Sequence, residues 1–274
     1  MKNCYGYTEL LKDLLELKEV YCQKVSVTFA SNSVRGRGIP LIKIGSGDKK
    51  LLAVASVHGR EFVSSCFVMR CLKDFLDRSY ELEGKALYVL PMLNPDGVEI
   101  AQGKEKPLNI PHDFKPELFK NNSNNINLNA NFPFCFHRVP KERQGGIKAA
   151  SEPEAKALIR LCEKERFMSA ISLHARGNCI FWRDLGNGRV KGDYELAKRL
   201  EESCGFELIE PTQKAQDYSG GFENWFRFRY RKPALCVELV EDEEISFSDM
   251  CFNFEEAVNW SKTGDLLKIF ADFC

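Results

Sequence analysis

The sequence predicts an α/β protein, a single domain over residues 1–274 with a mainly parallel sheet. Two observations carry this. The stretches LLAVASV (51–57) and KALYVLPML (85–93) are continuous apolar runs of strand length, the pattern of strands buried on both faces, and a segment of helical period separates them. Strand, helix, strand in that order argues for parallel pairing through a right-handed crossover. The chain of 274 residues, 44% of them hydrophobic, shows no internal repeat and no linker, which suits one large domain.

The elements follow in order along the chain. Leu10, Leu14, Leu17 and Tyr21 recur at helical spacing among Glu9, Lys12, Asp13, Glu16 and Lys18. That is an amphipathic core helix, since a secretory signal needs an uncharged apolar stretch. Ile39, Leu41 and Ile44 read as a strand between Gly and Ser turns. Residues 51–57 form the first buried strand, and Phe62, Cys66, Met69, Leu72 and Leu76 mark a helix over 61–79. The second buried strand, 85–93, ends on NPDG, a turn signal. Residues 101–148 are rich in Gly, Pro, Asn and Lys and read as a long functional loop region. Ser151 and Glu154 predict a capping box opening a helix over 151–165. Strands are expected at 166–174, ending in His174, at 179–182, and at 232–240, which contains Glu238. Helices are expected at 192–204 and at 254–273, the last with Ala257, Trp260 and Leu267 toward the core.

Composition excludes several partners. Formal charge is zero and the pI is 6.9, so no global field draws the chain to nucleic acid or an anionic membrane. NWFRFRYRK (224–232) interleaves Arg227, Arg229 and Arg231 with aromatic residues, a pattern that can track a single strand. In a neutral chain so short a patch reads instead as an element with one buried and one solvated face, or as arginines meeting an acidic substrate group, and no nucleic-acid partner is expected. ELVEDEE (238–244) reads beyond Glu238 as a solvated loop. No apolar run is long enough to span a membrane. The 11 cysteines are scattered without a C-x-x-C, which predicts reduced thiols and a cytoplasmic location. Cys66, Cys71, Cys162 and Cys236 read as small buried hydrophobes, and none is assigned a catalytic role.

The chemistry begins at ASVHGREF (55–62), where His58 and Glu61 stand three positions apart. With 4 His and 39 acidic residues in the chain, roughly 0.6 such pairs arise by chance, so the pair alone proves little. His174, however, ends a second apolar strand and Glu238 lies in a third. Side chains at the C-terminal strand edge of an open α/β sheet converge on ligands. Two imidazoles and a carboxylate make a three-ligand set suited to one Zn²⁺ with a position left for water, and Glu238 is placed to take the water's proton. Singly, a histidine such as His174 is more often a hydrogen-bonded structural residue, and Glu238 is as readily a buried partner for an arginine. Together the four make that bland reading hard to sustain.

The chain resembles the zinc metallocarboxypeptidase family through an ordered series: SVRGRGIPLIKIG, SVHGREF, LNPDG, NLNANF, SEPEAKAL, SLHARGNCIFW, DYSGGFENWF and KPALCVEL. The resemblance implies an α/β domain with a mixed, mainly parallel twisted sheet flanked by helices. It implies His58, Glu61 and His174 as zinc ligands, Glu238 as general base and Arg60 as the arginine that helps polarise the scissile carbonyl. Tyr218 matches a tyrosine that closes on substrate, and Asn129 and Arg176 fall to substrate binding. SLHARGNCIFW and GGFENWF are most similar to the branch of γ-D-glutamyl-diaminopimelate peptidases, which cut peptidoglycan stem peptides. That branch implies a small peptide substrate and zinc-dependent amide hydrolysis; a carboxypeptidase or N-acyl amino acid deacylase of other specificity and a catalytically weakened peptide-binding protein are the competing expectations.

Three departures stand out. Ala130 replaces the arginine that usually follows Asn129, removing a bidentate anchor for a terminal carboxylate. Asn127 stands where an aspartate usually supports the first zinc histidine. No arginine occupies the usual oxyanion position in LFKNNSNNINLN, which leaves Lys120, Arg138, Arg143 and Arg176 as unranked substitutes.

Overall fold

The computed structural model describes residues 5–184, 186, 188–211, 214, 218–241 and 245–273. Its strands are β1 (Val25–Asn32), β2 (Gly38–Gly45), β3 (Lys49–Ala55), β4 (Lys85–Leu90), β5 (Ser169–His174), β6 (Cys179–Phe181), β7 (Glu207–Leu208) and β8 (Ala234–Glu238). They form one eight-stranded sheet in the order β1-β2-β4-β3-β5-β8-β6-β7. The four central strands β4, β3, β5 and β8 run parallel. Antiparallel pairs flank them on both sides, β1 with β2, β2 with β4 and β6 with β8, so the sheet is mixed with a parallel centre.

Alternation along the central strands divides the core in two. Leu51, Ala53 and Ala55 of β3 face a layer holding Leu10, Leu14 and Leu17 of α1 (Tyr7–Val20) and Phe67 and Leu72 of α2 (Val63–Asp77). Leu52 and Val54 face the other layer, which holds Leu158 of α4 (Pro153–Glu165) and Phe222, Trp225 and Phe226 of α6 (Phe222–Tyr230). Between these in sequence lie α3 (Pro95–Ala101) and α5 (Asp193–Cys204). Burial of each large aliphatic side chain contributes roughly 1.5–3 kcal/mol. The core therefore fixes the strand ends independently of whatever binds there.

Some expectations need correction. NPDG is the start of α3 rather than a free turn: Asn94 Oδ1 accepts the Gly97 N–H at 3.0 Å and Pro95 takes the first helical position. The capping box at Ser151 does not form. Glu152 is the N-cap of α4, and Glu154 points inward to accept from Val34 N and Asn122 Nδ2 at 3.1 Å each. The closing helix is broken into α7 (Phe247–Phe252), α8 (Phe254–Ala257), α9 (Trp260–Thr263) and α10 (Leu266–Phe273). Asn259, at φ 48°, interrupts it in the left-handed conformation that asparagine tolerates. The edge strand β1 lies outside the sequence expectations. The arginine-aromatic stretch falls on α6, with Phe222, Trp225, Phe226 and Arg227 buried and Phe228 and Arg229 exposed. Arg227 is held by Asp193 at 3.0 Å and by the Trp182 carbonyl at 2.6 Å. Asp242, Glu243 and Glu244 of the expected acidic loop lie outside the described residues. The described cysteines are all free thiols; Cys71 and Cys162 are buried, while Cys66 and Cys236 are partly so. Among the described residues no helix is long and apolar enough to cross a membrane.

Candidate metal centre

The turn after β3 builds the first half of the site. Ser56 is left-handed at φ 46°, a conformation that is costly for a residue with a Cβ. Two further buried serines hold it: Ser64 Oγ accepts Ser56 N–H at 2.9 Å and donates to the Glu61 carbonyl at 2.7 Å, and Ser65 Oγ meets Ser56 Oγ at 2.6 Å. Gly59 is required sterically, because a Cβ there would sit 2.3 Å from the Gly97 carbonyl oxygen. His58 and Glu61 are thus presented from a rigid turn. His174 and Glu238 are the last residues of β5 and β8 and are register partners across that parallel pair. Three parallel strands thereby deliver four side chains to one sheet edge.

Glu61 is the hub. Its Oε1 lies 2.8 Å from His58 Nδ1 and its Oε2 2.8 Å from His174 Nδ1, and the two imidazole centroids are 4.9 Å apart. One ligand atom from each of the three residues lies within 4.8 Å of the others. His58 Nε2 meets Asn127 Oδ1 at 3.2 Å. The amide oxygen only accepts, so Nε2 carries the proton and Nδ1 presents its lone pair toward Glu61. A lone-pair nitrogen aimed at a carboxylate is repulsive unless a proton or a cation lies between them. The donor set therefore fits a divalent metal, and His₂Glu with room for water is a zinc arrangement.

The electrostatics follow from that crowding. Burial works against the charge on Glu61, yet His58 and His174 overcome it and hold the carboxyl well below its usual range. Burial likewise opposes a charge on His174, and Glu61 reverses the sign, raising the imidazole well above its ordinary value. Glu238 is pushed up to about 8, mainly by burial, with His174 opposing and Glu61 adding to the rise. Its Oε2 is buried without a hydrogen-bond partner.

Around these groups lies a cleft of about 580 Å³, lined among others by Arg60, Lys120, Asn127, Arg143, Arg176 and Phe247. Arg60 and Arg176 both lie over one ring: their guanidinium carbons are 5.2 and 4.6 Å from the Phe247 centroid. Lys120 is half-buried, and burial with the neighbouring Arg60 and Arg143 lowers its pKa. Past Glu238 the cleft adjoins a second cavity of about 230 Å³ that shares Asn129, Arg143 and Glu238 and also holds Tyr218, Glu223 and Asp184. Tyr218 is thus placed in the side cavity, its ring 6.1 Å from Phe134, rather than over the three metal-ligand candidates. Asn129 Oδ1 accepts the Phe222 N–H at 2.9 Å, so any donor it offers a ligand is its Nδ2. Ala130 is fully buried. Arg143 donates to the Asn129 carbonyl at 2.8 Å and to the Ser219 carbonyl at 2.9 Å, while Arg138 is exposed. The structure therefore brings Lys120, Arg143 and Arg176 to the cleft. Glu223, which no sequence pattern singled out, lines the adjoining side cavity from the first turn of α6.

The sequence profile of the zinc carboxypeptidase family matches residues 10–227. The chain belongs to the zinc carboxypeptidase family. Glu238 lies beyond the matched stretch, and its place beside the site rests on the β5–β8 register. Among curated relatives, γ-D-glutamyl-L-diamino acid endopeptidase 1 of Lysinibacillus sphaericus is 27% identical over 264 residues, covering 86% of this chain; the chain spans only 65% of that protein's length. An uncharacterized protein of Bacillus subtilis, YqgT, is 25% identical over 267 residues, with 86% of this chain and 70% of that protein covered. Among solved structures, carboxypeptidase A from Helicoverpa armigera matches 99% of this chain and 73% of its own, with TM-score 0.76 at 18% identity. The murein-tripeptide amidase MpaA from Escherichia coli O157 matches 85% of this chain and 89% of its own, with TM-score 0.54 at 20% identity. At these identities the structural likeness concerns the fold.

Proposed function

We propose that this member of the zinc carboxypeptidase family is a zinc-dependent peptidase, residues 1–274 acting as one catalytic domain, that hydrolyses an amide bond in small peptides of the γ-D-glutamyl-diamino acid type. The observation that carries the reading is the convergence of His58, Glu61 and His174 with a buried, unpartnered Glu238 oxygen beside them. One zinc ion held by the three residues would lower the pKa of bound water to about 7 and polarise the scissile carbonyl. Glu238 takes the water's proton on Oε2 and returns it to the leaving amine. Arg60 and Lys120 donate toward the developing oxyanion from the same cleft wall. Arg143, Arg176 and Asn129 Nδ2 hold carboxylates of the substrate, with Arg143 supplying a guanidinium near the position where Ala130 has none. Tyr218 closes the side cavity over the leaving group.

The substrate class draws support from the L. sphaericus relative and from the side cavity, where carboxylates and three arginines lie together. A diamino acid offers an ammonium and a carboxylate to match them. The free thiols are consistent with work in a reducing, cytoplasm-like compartment. The test is digestion of γ-D-glutamyl-meso-diaminopimelate peptides by zinc-loaded protein, read by mass spectrometry. Amine release at the γ-glutamyl bond is expected, with a fall of about 10²–10⁴-fold in Glu238→Gln. A Glu238→Gln variant as fast as the parent would remove Glu238 from the mechanism, and zinc and peptide binding without turnover would favour a binding protein.

A further inference from the structure

His174 is 1% exposed and uses Nδ1 toward Glu61, while its Nε2 is buried without a hydrogen-bond partner. A neutral imidazole that ligates a metal through Nδ1 must carry its proton on Nε2, and that N–H needs an acceptor. The group it faces is Glu223, whose Oε1 is 3.9 Å away, beyond hydrogen-bond range. Glu223 is itself 5% exposed, and the same Oε1 accepts from Ser172 Oγ, two residues before His174 on β5. A shift of about one ångström in a carboxylate with three rotatable bonds would close the gap.

The other histidine shows why this matters. His58 Nε2 meets the neutral amide of Asn127 at 3.2 Å, so no carboxylate backs the first ligand. We propose that Glu223 is a positioning residue: it accepts the Nε2–H of His174, fixes the tautomer that presents Nδ1 to the metal, and supplies behind the second histidine the negative charge that Asn127 withholds from the first. The proposal rests on the reading of His174 as a metal ligand. It differs from two other roles for the same carboxylate. Glu223 also lines the side cavity, where it would touch substrate. With His174 Nε2 and the Cys236 thiol it also forms a second buried group whose ligand atoms lie within 4.8 Å of one another, where it would be a ligand itself.

Zinc affinity, measured by chelator competition on the full chain, separates these. Glu223→Gln is expected to weaken zinc about 10–100-fold, and adding Asn127→Asp to it should restore most of the loss by returning a carboxylate to the other histidine. In ¹⁵N-labelled, zinc-loaded parent the His174 Nε2–H should appear as a downfield, slowly exchanging proton, and this readout needs no variant to fold. The proposal is overturned if that proton exchanges freely, if Glu223→Gln binds zinc as tightly as the parent and changes only KM, or if Asn127→Asp rescues nothing. Two zinc ions per parent chain, one of them lost in Cys236→Ser, would overturn it in favour of a ligand role. A parent that binds no zinc defeats the metal reading itself, a different result from any of these.

Discussion

Glu61 meets Nδ1 of both His58 and His174 at 2.8 Å, and a proton gained or lost by Glu61 or His174 is felt by the other. In the metal-free protein the raised pKa of His174 keeps a proton where a metal would bind, and Glu238 at about 8 keeps another at neutral pH. Zinc loading must expel the first and, by adding positive charge nearby, favours loss of the second. Zinc affinity should therefore rise with pH between 6 and 8, by about one decade per pH unit for each proton released. Calorimetry in two buffers of different ionisation enthalpy measures that number directly; buffer-independent heats with a flat affinity would refute it. At this scale His58, Glu61, His174 and Glu238 are legible in the sequence because histidine is scarce in the chain and each of the four sits at the end of, or just beyond, an apolar run. Glu223 is not, and Lys120 and Arg143 are legible only as two of four unranked substitutes for the oxyanion donor. They reach the site from a helix start and a long loop, where neither spacing nor polarity distinguishes them from the chain's other charged residues.

Among the elements, the strands buried on both faces are the readable ones, since five consecutive apolar residues in β3 leave few alternatives. The edge strand β1 escapes because only Val25 is buried along it and Phe29 is 57% exposed, so alternation is lost. The start of α4 misleads for a different reason. Glu154 fits a capping box locally, but tertiary structure takes it inward, fully buried, to tie the helix to Val34 and Asn122. Its pKa rises from 4.5 to about 7, chiefly through burial, with those hydrogen bonds opposing and Asp96 adding. A carboxyl whose folded pKa is raised contributes stability that is full below 4.5 and is lost as pH rises through 7, because the folded state keeps a proton that the unfolded chain has released. The loss amounts to about 3 kcal/mol. Glu154→Gln, which stays neutral, should gain on the parent by about that much between pH 5 and 8 in urea unfolding. A stability difference that stays constant across this range would mean that Glu154 ionises normally in the fold.

For the whole molecule, the site exists only when the sheet does. Its four groups come from the turn after β3 and from the ends of β5 and β8, neighbours in space but separated by more than a hundred residues of chain between Glu61 and His174. Without a metal the fold confines Glu61, Glu223 and Glu238 in one buried region with two imidazoles, an arrangement in which removal from water opposes each charge. A dication there offsets that cost and joins the β3 turn to β5, so zinc should behave as a structural clip as well as a catalyst. At free zinc one hundred times Kd the native state gains about 2.7 kcal/mol. For a chain of this size that corresponds to a rise in Tm of about 5 °C. Scanning calorimetry of the loaded protein with and without a chelator reads the shift, and His58→Ala should abolish the zinc-dependent part while leaving the metal-free transition nearly in place, because His58 is partly exposed and contributes little to either core layer. A Tm that the chelator does not move, in protein shown to carry zinc, would mean that the metal binds folded and unfolded chains alike, and that the buried carboxylates are already compensated by the fold.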